Sequence, residues 1–191
     1  MRIPGFTSKS GRHGSGKSNL PVIKSLIRLY VAFCGLILLF VIAFHIPAFH
    51  HAVVVPFTYF VAKCCSILMN IFGANSYVVE NTLSTSKYSI NVVDGCNGIY
   101  ATAILISGVI AFPSRLNHKL AGVLLGVAAI FVVNLIRVIS LFYMGQHYPD
   151  IFEEVHVYVW QPIIILWAIF VWDFWSRHQR PSKKVENSQV G

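Results

Sequence analysis

Charge is scarce in this chain, and negative charge scarcer still: seven Asp and Glu stand among 191 residues, and only 12% of all side chains are charged. An ordinary soluble domain carries roughly 25%. With 55% of its residues hydrophobic, the chain is composed for lipid rather than for water. Cysteine is sparse too. Cys34, Cys64, Cys65 and Cys96 have neither zinc-type spacing nor the look of a disulfide framework, since Cys34 falls inside an apolar run and adjacent cysteines seldom bridge. His45, His50, His51, His147 and His156 are scattered without metal-ligand spacing, so no metal and no other cofactor is expected. No internal repeat is visible, and no A-x-A cleavage site follows the first apolar run, which argues against a removable signal peptide.

Positive charge is what remains, giving a net charge of +8, but it does not form a stripe interleaved with aromatics as a nucleic-acid face requires. It gathers at the ends. Residues 1–28 hold Arg2, Lys9, Arg12, Lys17, Lys24 and Arg28 with no acid, a basic tail, and residues 176–191 form a second one. Gly11 to Ser18, GRHGSGKS, fits the phosphate-loop pattern letter for letter. That loop must link a strand to a helix inside an α/β domain, for which there is no room here, so no nucleotide is expected.

Between the tails, residues 29–175 read as one all-α membrane domain, a multi-pass helical bundle. Four spans are expected, over 29–46, 98–112, 120–143 and 157–175, the last broken at Gln161-Pro162. Residues 76–93 alternate β-formers around Ser84-Thr85-Ser86-Lys87 and predict a short extracytoplasmic β-hairpin. Twelve of the fifteen Lys and Arg residues lie in the two tails and the 113–119 turn, and the 144–156 loop has none. The positive-inside rule therefore puts both termini in the cytoplasm. A full crossing by residues 52–73 would invert everything after it, so this segment, which carries Lys63, is expected to be re-entrant or interfacial.

Counting residues then predicts a layer. Cys96 lies 17 positions before Pro113, Arg137 lies 17 positions after Leu120, and His156 lies 19 positions before Trp175. At about 1.5 Å per helical residue the three sit at one height, near the outer membrane boundary. Attack on a carbonyl needs a nucleophile, a proton carrier and a stabiliser for negative charge. Cys96, expected at the start of a helix whose dipole lowers a thiol pKa, is the candidate nucleophile. Arg137 cannot serve as base but can pair with a thiolate or an oxyanion. His156 suits general acid/base work, with His147 a rival in the same loop. Asn134, one turn before Arg137, can orient it or donate to the oxyanion. A charge inside a span costs about 2.5–3.5 kcal/mol on insertion scales, which marks Arg137 as functional rather than incidental.

Cys96-Asn97-Gly98-Ile99 opening a membrane helix, Asn134-x-x-Arg137 on the next and His156 opening the last resemble the exosortase/archaeosortase family, over about residues 29–175. The resemblance implies a transpeptidase-like cysteine enzyme of the bacterial inner membrane with its site facing the periplasm. It implies partners too: exported proteins ending in a sorting signal of motif, spanning helix and basic cluster, and an acceptor molecule. Asn97 stands where many members have Ser, and the length suits the short exosortase H type. The competing reading is a non-enzymatic transport or assembly protein with an anion site at Arg137, for which inverted repeats would be the usual mark.

Overall fold

The computed structural model describes residues 20–178. The GRHGSGKS stretch, most of the N-terminal basic tail and the chain from 179 onward lie outside the described residues. Helices and strands follow in the order α1 (Leu20–His45), α2 (Pro47–Phe49), α3 (Val55–Ile71), β1 (Tyr77–Val79), β2 (Thr82–Ser84), β3 (Ser89–Asn91), α4 (Ile99–Ala111), α5 (Leu116–His147), α6 (Phe152–Glu154) and α7 (Gln161–Arg177). Among the described residues, four continuous helical runs are long and apolar enough to cross a membrane: Ile23–His45, Pro47–Ile71, Leu116–His147 and Pro149–Arg177. The chain is an integral membrane protein of helical architecture, as its composition requires.

Helix α4 is the hub, packing against α1, α5 and α7. Lipid offers no hydrophobic gain over a neighbouring helix, so association depends on close approach, which small residues permit. Accordingly Leu105 of α4 seats on Gly126 of α5, where a Cβ would collide with it. At 13 residues, α4 spans only about 20 Å of a hydrocarbon core near 30 Å.

Two expectations change in detail. The 52–73 segment belongs to a continuous run from Pro47 to Ile71, as long as a true span, yet its contacts bring both of its ends to the Cys96 end of the bundle. Near one end His50 meets Asp94, and Asn97 donates to Thr58. At the other, Ser66 and Asn70 bind Ser76, which leads into the sheet, and the sheet sits over the end of α5 with Tyr88 edge-on to Phe142. Between them Phe60 stacks on Phe131 and Cys65 lies 4.0 Å from the Leu135 carbonyl, so α3 runs beside one half of α5 only. The predicted hairpin, in turn, is a three-stranded antiparallel sheet in the order β1-β2-β3. The additional strand is Thr82–Ser84, hidden in the sequence because two of its three residues are polar. Its Leu83 is fully buried opposite Val78 and Ile90 and holds the sheet to the core.

The break expected at Gln161-Pro162 is instead a widening. A π-helical stretch, Val155–Trp160, joins α6 to α7, and a second one, His50–Val54, joins α2 to α3. Each is followed within two residues by a proline, Pro162 and Pro56. Proline lacks an N–H and its ring crowds the carbonyl four residues back; opening the turn by one residue relieves that crowding and carries the helix through.

Candidate active site

Cys96 stands in a turn three residues before α4, with its N–H donated to the Val93 carbonyl at 2.8 Å and only 8% of its surface exposed. The sequence had placed it at the helix start. The helix begins later because Gly98 takes a left-handed φ of +80° as its cap, a conformation that glycine adopts without strain. A Cβ at Gly98 would also lie 2.9 Å from Cγ of Asn134. Asn97, 1% exposed, shapes the same turn: its Oδ1 accepts from the Ile99 N–H at 2.9 Å and its Nδ2 donates to Thr58 Oγ1 at 2.8 Å. Thr58 in turn donates to the Val54 carbonyl. An amide can bridge in both directions at once, which a serine hydroxyl at this position is too short to do.

The three residues that the count put in one layer are in contact. His156 Nε2 lies 2.8 Å from Cys96 Sγ, and Arg137 Nη2 approaches the same sulfur at 3.9 Å. The imidazole reaches it from the π-helical stretch before α7. Its other nitrogen, Nδ1, faces Glu153 Oε2 at 3.9 Å. His147 is elsewhere, at the exposed end of α5 with Nδ1 against the Tyr143 carbonyl at 2.9 Å.

Arg137 is 1% exposed and is held by a residue that the sequence reading treated only as part of a helix break: Nη2 donates to Gln161 Oε1 at 2.8 Å. A Gln inside an apolar span needs a partner, but residue counting puts Gln161 level with Asn134 as well as within a turn of Arg137, so the sequence does not say which of the two it meets. Asn134 does not bind Arg137. It packs against Gly98, and both its amide atoms, like Arg137 Nε, lack a hydrogen-bond partner among the described residues. Polar atoms buried without partners cost about 1–3 kcal/mol each, a cost that a bound group supplying the missing bonds would remove.

The electrostatics of the thiol differ from expectation. Burial pushes the Cys96 pKa above the ordinary thiol value; the Arg137 guanidinium pulls it down by less, and Glu153 adds to the rise. Burial thus favours the neutral thiol, and an imidazole nitrogen at 2.8 Å is the acceptor through which it can lose its proton.

The family model described as transmembrane exosortase (Exosortase_EpsH) matches residues 24–175, nearly all of the described chain. No curated protein and no solved structure matches.

Proposed function

Since the chain belongs to the transmembrane exosortase family, we propose that it is a membrane-embedded cysteine peptidase and transpeptidase acting on the C-terminal sorting signal of exported proteins. Its membrane setting and its part in sorting exported proteins come with the family. The observation that carries the chemistry is the 2.8 Å contact between Cys96 Sγ and His156 Nε2 with a buried guanidinium beside it.

In the proposed reaction His156 Nε2 takes the thiol proton as Sγ attacks the scissile carbonyl and the C–S bond forms. Arg137, oriented by Gln161, holds the negative charge that develops on the carbonyl oxygen. Asn134 supports the same wall of the site from one turn below, where its unpartnered amide can donate. His156 then returns the proton to the leaving amine as the C–N bond breaks, leaving a thioester on Cys96. An acceptor nucleophile attacks that thioester, its proton passes to His156, and the Cys96 thiol is regenerated. The sequence and bundle together support a site facing the periplasm of a bacterial inner membrane: the basic residues concentrate in the tails and the 113–119 turn, and Cys96 lies at the opposite end of α4.

The test is processing of a co-expressed exported protein that carries a C-terminal sorting signal. Cys96→Ala, Arg137→Ala and His156→Ala should each accumulate the uncut protein while inserting in the membrane at wild-type levels. Normal processing by Cys96→Ala together with loss in Arg137→Ala would instead point to an anion-binding role centred on Arg137.

A further inference from the structure

The segment that bears Cys96 is gripped from two sides by the same local device. His156 lies in one π-helical stretch, six residues before Pro162; His50 opens the other, six residues before Pro56. His156 meets Cys96 itself, and His50 Nε2 donates to Asp94 Oδ2 at 2.7 Å, two residues earlier in the same turn. One residue beyond Cys96, Asn97 donates to Thr58, whose hydroxyl binds the carbonyl of Val54, the last residue of the His50 stretch. The turn from Asp94 to Gly98 is thus fastened on both flanks of the nucleophile to one element, the run from His50 to Thr58. The Gly98 end of the turn is also tied to α4, through the Ile99 N–H to Asn97 and through Thr102 to the Gly98 carbonyl, whereas at its other end, among the described residues, His50 is the side chain that reaches Asp94. Cys96 N–H binds Val93, local to the turn, and the space beside Gly95 is open.

We propose that His50 and Asp94 are positioning residues for the Cys96 nucleophile: their pair, with the Asn97–Thr58 bond on the other flank, sets the height and direction of Sγ toward His156 and Arg137. The proposal rests on the reading of Cys96 as nucleophile and extends it to the segment from Pro47 to Ile71. That segment then has a task other than crossing the membrane. Its first turns, from His50 to Thr58, serve as a brace for the turn at residues 94–98. The physical argument is one of rigidity. A glycine-flanked turn has soft dihedrals, and a reactive atom displaced by about 1 Å can lose on the order of a hundredfold in rate, so a hydrogen bond on each side of Cys96 removes the rotations that would move it. The His50–Asp94 pair is more than a third open to solvent on the Asp94 side and a third on the His50 side, which makes its Coulomb contribution to stability small. Its value lies in geometry, and that separates a positioning role from a merely structural one.

The experiment uses the full-length protein in membranes, with two readouts: processing of the co-expressed sorting-signal protein, and the rate at which N-ethylmaleimide labels Cys96, followed by peptide mass spectrometry. His50→Leu and Asp94→Ala should each slow processing about tenfold and speed labelling of Cys96 several-fold, because the turn loosens and exposes the thiol. The double variant should be no worse than either single one, since both remove the same bond. His50→Gln, which keeps a donor of similar reach, should restore both readouts toward wild type, and its size matches that of His50→Leu, so failure to insert cannot mimic the pattern. Labelling and processing at wild-type rates in the single variants, or losses that multiply in the double, would overturn the proposal. The labelling arm decides this even if Cys96→Ala were found to process normally, an outcome that would remove the nucleophile reading instead.

Discussion

Arg137 is a side chain whose presence in a membrane helix has to be explained. It is fully buried, reaches Cys96 Sγ and Gln161 Oε1 with one nitrogen, and is the one group lowering the Cys96 pKa against burial and Glu153. The sign of its influence can be read directly. Arg137→Met, apolar and of similar length, removes that downward pull, so the thiol titrates at still higher pH and less thiolate is present at any pH below it. Alkylation of Cys96 as a function of pH should show the profile displaced upward and the rate at neutral pH reduced; an unchanged profile would mean that the guanidinium does not act on the sulfur. Cys96, Arg137 and His156 could be assembled from the sequence because a helix advances by a fixed rise and polar residues in apolar spans stand out. Gln161, His50 and Asp94 could not. Gln161 was read together with Pro162 as an interruption, and the pairing of His50 with Asp94 depends on a fold-back of the chain over 44 residues that no local pattern encodes.

At the scale of elements, the two π-helical stretches carry most of the difference between the sequence reading and the structure. Hydropathy identifies an apolar helix and proline marks a disturbance in it, but neither says whether the chain breaks, kinks or widens. Here it widens, and the widened stretch is the one that carries His156 to Cys96. Pro162→Ala restores the missing N–H and allows the turn to close to regular α-helix, which would rotate the residues before it by about 100° relative to α7. Processing should fall at least about tenfold with no loss of thermal stability in detergent, since a regular helix replaces a strained one. Normal processing by Pro162→Ala would show that the widened turn does not aim His156. The sheet illustrates the opposite difficulty. Its outer strands were legible from Tyr77-Val78-Val79 and Ser89-Ile90-Asn91, whereas the central strand offers a single apolar residue, Leu83, and is recognisable only from what it packs against.

For the molecule as a whole, composition alone was enough to give a membrane bundle, and the excess of Lys and Arg in the tails and the 113–119 turn gave a direction for it. The proposed orientation has a simple check. Lys87 in the turn between β2 and β3 and Asn117 at the start of α5 are both exposed and lie at opposite ends of the bundle. In intact cells a membrane-impermeant maleimide should label Lys87→Cys and leave Asn117→Cys untouched until the membrane is opened; the reverse pattern would invert the topology. Residues 52–73 were the ambiguous part because length and hydropathy are the same for a crossing helix and for one that lies along half of a neighbour. The contacts at its two ends, with Asp94 and Asn97 at one and Ser76 at the other, are what the sequence could not supply.

The central claim is covalent catalysis at Cys96, and its most direct test is to look for the covalent species. Membranes holding the full-length enzyme and a sorting-signal protein whose acceptor is depleted should accumulate an adduct with the combined mass of enzyme and trimmed substrate. Peptide mapping should place it on Cys96, and hydroxylamine should release it as expected of a thioester. Cleavage at the normal rate by Cys96→Ala, or an adduct mapped to any other residue, would contradict the account.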